Sequence, residues 1–308
     1  MLILLNKYCS GGKGFEKWRC IQNYFVKFNA AILNTDDSEL SSKLSEAIWN
    51  GETVFIAAGG DGTVNHLLNL IIETAGEQLL KKFLIGAAGI GSSNDFHKPF
   101  KVKMGKIPIS IDFENADLRD VGVLSYEFNG KQITKYFLIN ASIGITAEAN
   151  NLFNKTDSIL HLLKKINTKS AILYSALKTI SGYKNLNAEL RVNDTELKTK
   201  ITNLGVTKNP HFSGDFCYDS IADFDNGKFN VHLAYDMQRM DVLKLMRSLT
   251  NQGFSKTPKT KSWQSNRISV SSINEFAVEY DGEVITTNKV EFNILPKFIR
   301  VCGNGKIT

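Results

Sequence analysis

Short apolar runs, each closed by a glycine or polar turn and followed by apolar residues at helical spacing, fill the first part of the chain. Leu2 to Leu5 reads as a buried strand, and residues 6–14 form a glycine and lysine loop. A helical stretch then sets Trp18, Ile21, Phe25 and Phe28 on one face, more in keeping with core than with a cofactor site. Residues 30–33 read as a second strand. Asp36 or Asp37 can cap a helix carrying Leu40, Leu44, Ile48 and Trp49, which Gly51 ends. Residues 53–58 form an apolar, β-branched strand that breaks at Gly59-Gly60-Asp61-Gly62-Thr63. Val64, Leu67, Leu68, Ile71 and Ile72 then resume at helical spacing, which predicts a helix starting near Thr63 or Val64. Residues 83–87 make another strand that empties into residues 89–96. Such repeats predict a parallel, doubly wound α/β sheet, whose ligands bind at the carboxyl ends of its strands. All three glycine loops follow strands, so all three are expected on one edge.

After about Asp120 the pattern changes to paired β-rich runs hinged on two-residue turns. These are Asn129-Gly130, Asn193-Asp194, Asn226-Gly227 and Asp281-Gly282, and they predict an antiparallel sandwich or barrel. One long helix is expected from about Asp157 to Ile180, with Leu160, Leu163, Ile166, Ile172, Leu173 and Leu177 apolar and Lys164, Lys165, Lys169 and Lys178 charged. Mid-segment lysines exclude a comfortable membrane span, and the helix either covers the sheet or lies on an anionic surface. The polar, basic residues 251–266 read as an exposed loop.

The chain has 308 residues, of which 43% are hydrophobic and 22% charged, which suits a globular protein of two domains. A net charge of +6 is a mild bias toward anionic partners and does not choose among them. Cys9, Cys20, Cys217 and Cys302 show no metal or disulfide spacing, so reduced thiols and a cytoplasmic setting are expected. His66, His97, His161, His211 and His232 likewise show no metal-ligand spacing.

The candidate chemistry lies in the glycine loops. Glycines let a ligand approach the backbone, and the helix that follows points unpaired N–H groups at the turn, where phosphate is favoured. A carboxylate beside phosphates is repulsive unless a cation intervenes, so Asp61 makes most sense in a Mg²⁺ or water network. The same pattern also fits a tight strand-to-helix turn that binds nothing.

The sequence Gly59-Gly60-Asp61-Gly62-Thr63-Val64-Asn65 resembles the GGDGT(L/V)N signature of the diacylglycerol kinase catalytic-domain family, related to sphingosine and ceramide kinases and more distantly to NAD kinases. Gly91-Ser92-Ser93-Asn94-Asp95-Phe96 resembles its G-T-x-N-D-F segment, residues 6–13 its N-P-x-S-G-x-x loop, and Asp281-Gly282-Glu283 its C-terminal DGE. The resemblance implies an N-terminal α/β nucleotide domain over residues 1–120, to which residues 294–308 can return. It also implies a C-terminal antiparallel β-sandwich over 121–293 for the lipid, with the active site in the cleft between the domains.

The activity so implied is transfer of the γ-phosphate of ATP to a lipid hydroxyl with Mg²⁺. The family match assigns ATP to Asn6, Ser10, Gly11, Gly12, Lys13, Thr35, Gly59, Gly60, Asp61, Gly62, Thr63, Asn65 and Ser92. It assigns water-mediated Mg²⁺ to Asp61, Asp95 and Asp120, the general base to Glu283, and a place in the catalytic group to Asp281. The partners implied are a lipid and, transiently, an anionic membrane surface, with no nucleic acid; a homodimer is left open.

The chain departs from the family pattern at His66, usually Glu, and at Ser92, which keeps the hydroxyl of the usual Thr. The family's structural Mg²⁺ segment A-x-x-D-D-G-x is matched by residues 222–228, implying Asp223, Asn226 and the Lys228 backbone as ligands. Asn226 replaces an Asp there, and a neutral carbonyl beside a lysine is a poor metal ligand, so occupancy is in doubt. Two other readings stay open: a NAD kinase-like small-molecule kinase, for which no nicotinamide-side motif is found, and a catalytically silent binding homologue.

Overall fold

The computed structural model describes residues 1–99, 102–154, 158–166 and 168–303. The chain forms two compact units, the first of residues 1–121 with the segment from Lys297 onward, the second Gly122–Pro296.

Unit one contains, in chain order, β1 (Leu2–Leu5), α1 (Gly14–Arg19), α2 (Gln22–Val26), β2 (Ala31–Asn34), α3 (Leu40–Trp49), β3 (Val54–Gly59), α4 (Asp61–Ala75), β4 (Leu84–Gly89), β5 (Lys103–Met104), β6 (Ile107–Ser110) and the start of β7 (Asp112–Phe128). β2 pairs with β1, β1 with β3 and β3 with β4, all in parallel, while β6 joins β4 antiparallel. The core combines Ile3, Leu5, Ile56, Ala58 and Ala88 of the sheet with Trp18, Ile21 and Phe25. Burying each large side chain stabilises the unit by roughly 1.5–3 kcal/mol. The predicted face around Trp18 is buried, but by two short helices. Between them Ile21 N–H bonds to the Trp18 carbonyl, a tighter turn than the α-helical one, and the Trp18 and Phe25 rings stack at 5.3 Å. α4 starts at Asp61, two residues before the expected start, because Gly60 is already extended and its carbonyl takes the Thr63 and Val64 amides.

Unit two continues β7 and contains β8 (Lys131–Phe137), β9 (Asn140–Gly144), α5 (Ile145–Asn154), α6 (Ser158–Ile166), α7 (Thr168–Gly182), β10 (Leu186–Val192), β11 (Thr195–Thr207), β12 (His211–Phe212), β13 (Phe216–Cys217), β14 (Phe229–Tyr235), α8 (Arg239–Leu249), β15 (Thr260–Ser265), β16 (Arg267–Tyr280) and most of β17 (Glu283–Gly303). The strands β15-β14-β11-β10-β16-β17 follow in that order, each antiparallel to the next, and β9 also pairs antiparallel with β11 and β16. Its core joins Leu190, Leu204, Val231, Ile268, Val278 and Phe292.

The single helix expected over 157–180 includes residues 157 and 167, which lie outside the described residues; α6 and α7 lie on either side of 167, and α5 precedes them. Three expectations change. Asn226-Gly227 is no hairpin turn: residues 219–228 form a loop in which Asn226 Oδ1 and the Lys228 carbonyl both accept from the Lys208 ammonium. Part of the polar run 251–266 is β15, a mostly polar edge strand in which Trp263 packs on the core and Ser265 is buried. The helix α8 was not anticipated; it buries Val242, Leu245 and Leu249 on one stripe and opens with a Gln238–Asp241 capping box. No described helix is long and apolar enough to cross a membrane.

Candidate functional site

At the carboxyl ends of β1, β3 and β4 the three glycine loops of unit one meet. Asn6 N–H donates to the Ala58 carbonyl at 2.9 Å, and Asn6 Nδ2 reaches Thr63 Oγ1 at 3.3 Å. Gly91 N–H donates to the Gly59 carbonyl at 3.0 Å. The approach of the last two loops is close enough that a Cβ on Gly91 would lie 2.3 Å from Gly60 Cα, so only glycine fits. Gly60 has φ −101°, so its glycine is needed for close approach and not for a left-handed turn. The first loop is tied toward β2 by the Lys7–Asp36 ion pair at 3.0 Å, beside Thr35, whose N–H bonds to the Leu5 carbonyl. Ser10, Gly11, Gly12, Lys13 and Ser92 line the outer rim; of these Ser10 is half-buried and the others are exposed.

Lys17 holds this assembly together. Its ammonium donates to Ser10 Oγ at 2.7 Å, the Ile90 carbonyl at 3.1 Å and the Gly91 carbonyl at 3.0 Å, bridging the first and third loops. Burial pulls its pKa below the ordinary lysine value, and burial pushes the neighbouring Cys9 thiol up to about 11. Sequence reasoning missed Lys17 because a lysine on a short helix reads as a solvated face.

Asp61 and Asp95 are placed by the same loops, while Asp120 lies on β7. Asp61, the first residue of α4, accepts the Phe96 N–H at 2.9 Å. Asp95 is buried and takes the Lys98 ammonium at 2.7 Å. Asp120 is buried, and its Oδ1 accepts the Lys297 N–H at 2.8 Å. Around them Arg119, whose pKa burial lowers to about 10, lies 5.6 Å from the Phe96 ring centre. His97 faces Ser110 Oγ at 3.0 Å, and burial drives its pKa down to about 3. Among the described residues no three His, Cys, Asp or Glu side chains converge as direct metal ligands. Among the described residues Asn94 Oδ1 is buried with no hydrogen-bond partner, an acceptor open to a ligand donor. Asn65 is buried in α4 and bonded to Asn69, a support for the turn.

In unit two, Asp281-Gly282 is a hairpin turn with φ of 46° and 96°, joining Tyr280 to Glu283 in register. Asp281, expected in the catalytic group, has a structural task in the described residues. It is 2% exposed, and its carboxylate accepts the N–H groups of Leu138 at 2.7 Å, Ile139 at 2.9 Å and Asn140 at 3.0 Å, so it is a clamp. Glu279, missed in the sequence, accepts the Gly282 N–H and the Ser142 hydroxyl, both at 2.8 Å. Together these carboxylates fix a turn that leaves Glu283 exposed.

The residues 222–228 do not fit a metal. Asn226 Oδ1 and the Lys228 carbonyl, two of the three expected ligands, both accept from the Lys208 ammonium, at 2.9 and 2.8 Å. The third, Asp223, is half-buried, and its Oδ1 faces Asp225 N–H at 3.5 Å.

The family model of the diacylglycerol kinase catalytic domain matches residues 1–124, and that of the YegS C-terminal NAD kinase beta sandwich-like domain matches residues 140–303. The chain belongs to this family of lipid kinases, and it is a kinase. Among its relatives is a Staphylococcus haemolyticus (strain JCSC1435) diacylglycerol kinase, 24% identical over 305 residues, covering 95% of this chain and 85% of the relative. A candidate lipid kinase of the same strain is 24% identical over 260 residues, covering 81% and 76%. A solved structure of a candidate diacylglycerol kinase from Bacillus anthracis str. Sterne shares the fold, with a TM-score of 0.70 at 16% identity over 98% of this chain and 94% of that one.

Proposed function

We propose that this kinase transfers the γ-phosphate of ATP to the hydroxyl of a diacylglycerol-like lipid. The observation that carries the reading is the meeting of three glycine loops at the strand ends, with Gly60 and Gly91 packed backbone to backbone and Asp61 and Asp95 beside them. Backbone N–H groups at the start of α4 suit the phosphates, and Asn6, Ser10, Lys13, Thr35 and Ser92 complete the cradle. Carboxylates are the hard oxygen donors Mg²⁺ requires, and Asp61, Asp95 and Asp120 would hold it through water. Bound there, Mg²⁺ would neutralise charge on the transferred phosphate. Phosphoryl transfer otherwise needs mainly positioning, which the loops and the Lys17 bridge supply.

Glu283 is the proposed proton acceptor for the lipid hydroxyl: it is a carboxylate on a turn fixed by Asp281 and Glu279. The helices α6 and α7 expose Ile159, Leu162, Leu173 and Leu177, and α7 exposes Lys178, a composition suited to an anionic bilayer surface, while the half-buried Lys164 ammonium is held by the Phe153 carbonyl. The side chains of Lys165 and Lys169 lie outside the described residues. Vesicle sedimentation that weakens with salt would support this docking, and equal binding to neutral vesicles would reject it.

The function is tested by thin-layer separation after incubation with labelled ATP, Mg²⁺ and a panel of diacylglycerol, monoacylglycerol, phosphatidylglycerol, sphingosine and ceramide. A labelled lipid is expected, and its absence across the panel contradicts the reading.

A further inference from the structure

We infer that the Lys208 ammonium serves unit two as a built-in cation, standing where a divalent metal would have to bind in the 223–228 loop. Lysines are almost never fully buried without partners, yet Lys208 is 1% exposed. Its Nζ donates to Asn226 Oδ1 at 2.9 Å and to the Lys228 carbonyl at 2.8 Å. Asn226 Oδ1 also accepts the Lys228 N–H at 2.9 Å, so one amide oxygen gathers the loop around the ammonium. A metal using these oxygens would meet a like charge in hydrogen-bond contact with both, and the two cations exclude each other.

The residue types agree with the exchange. A divalent ion facing an aspartate leaves one net positive charge, and an ammonium facing a neutral asparagine leaves the same. Asparagine at 226 is therefore the partner a lysine cation requires, whereas beside a metal it removes the ligand charge that gives affinity. Through its backbone, Lys208 is also tied to a second part of unit two. Lys208 N–H and Asn209 N–H both bond to the Ile139 carbonyl, at 2.9 and 3.0 Å, and Ile139 N–H bonds to Asp281. Lys208 thus connects the 223–228 loop to the clamp beneath the Glu283 turn. The inference stands apart from the kinase reading, and its test reads no activity.

The test is thermal unfolding without nucleotide, in EDTA and in excess MgCl₂ or CaCl₂, with elemental analysis of the purified chain. Wild type is expected to carry no divalent equivalent retained through dialysis, and its transition should move by less than about 1 °C between EDTA and metal. Lys208→Met should lower the transition by about 5–15 °C, because it takes the ammonium from the Asn226 and Lys228 oxygens that hold the loop. Lys208→Met with Asn226→Asp should recover part of that loss only when metal is added. Asn226→Asp alone should gain no metal response, since the ammonium still fills the loop. One equivalent of metal in the wild type, a wild-type transition that collapses in EDTA, or a metal response in Asn226→Asp alone would overturn the proposal. If the Lys208 variants do not fold, the wild-type and Asn226→Asp measurements still decide it.

Discussion

Asp61 and Phe96 are joined by one hydrogen bond across 35 positions of sequence, the Phe96 N–H donating to Asp61 Oδ1 at 2.9 Å. The aspartate of one glycine loop thereby fixes the segment that carries Asp95, so its charge and its acceptor oxygen perform separate tasks.

Two substitutions separate those tasks. Asp61→Asn keeps an acceptor for Phe96 and loses the charge, while Asp61→Ala loses both. Turnover should fall by 10² or more in each, on the order of the effect of losing a charge that stabilises the transition state. Only Asp61→Ala should also lose about 1–3 kcal/mol of stability, because it leaves the Phe96 N–H without its acceptor. Equal melting of the two variants in denaturant would show that the tether carries no weight.

Gly91→Ala tests the contact between the loops. Its Cβ would lie 2.3 Å from Gly60 Cα, so backbone must shift. A cost of about 1–3 kcal/mol in stability is expected from the overpacking, together with at least a roughly tenfold loss of ATP affinity. Titration calorimetry with ATP checks it, and wild-type affinity would show that the loops tolerate separation.

Acid should destabilise unit two through His232. The ring is stacked on Tyr218 at 4.0 Å, its nitrogens face Ser220 Oγ at 3.1 Å and Ser262 Oγ at 3.0 Å, and burial lowers its pKa to about 4 despite nearby Asp219. The folded value lies below the unfolded one, near 6.5, so between those values the unfolded chain binds more protons. Stability is complete above about pH 6.5 and falls as pH drops toward 4, with a slope of at most about 1.4 kcal/mol per pH unit. His97, lowered to about 3, contributes in the same direction in unit one. His232→Gln should flatten the pH profile of denaturant unfolding for unit two, and an unchanged profile would assign the acid sensitivity elsewhere.

The adjacent carboxylates of the DGE turn should behave oppositely. Asp281→Ala strands three buried N–H groups and should cost about 3 kcal/mol or more, with activity lost through unfolding. Glu283→Gln touches an exposed side chain and should leave stability and ATP affinity unchanged while kcat falls by roughly 10² to 10⁴. Parallel unfolding and steady-state kinetics distinguish them, and unaltered kcat in Glu283→Gln would remove it as the base.

What the sequence discloses follows from how local each signal is. The strand, turn and helix around Gly59 to Thr63 are legible because hydrophobic period and glycine punctuation act over a few residues, and the Asn129-Gly130 and Asp281-Gly282 hairpins are legible for the same reason. Asn226-Gly227 carries an equally good turn signal, yet its partner is Lys208, 18 positions away along the chain, and nothing local reports that contact. Lys17 was invisible in the same way, its partners Ile90 and Gly91 lying 73 and 74 positions off. β15 was missed because an edge strand with one wet face carries few apolar residues. The aspartates proposed for the site rest on residue type and the family motif. That Asp281 serves as a clamp appears only once the Leu138, Ile139 and Asn140 amides are seen around it.

The most direct measurement is a single competition reaction containing labelled ATP, Mg²⁺, vesicles with diacylglycerol and soluble NAD, with products separated by phase. The account predicts label in the lipid phase with wild type, and loss of that label with Asp61→Asn. Label confined to the aqueous acceptor, or no transfer to either, would contradict it.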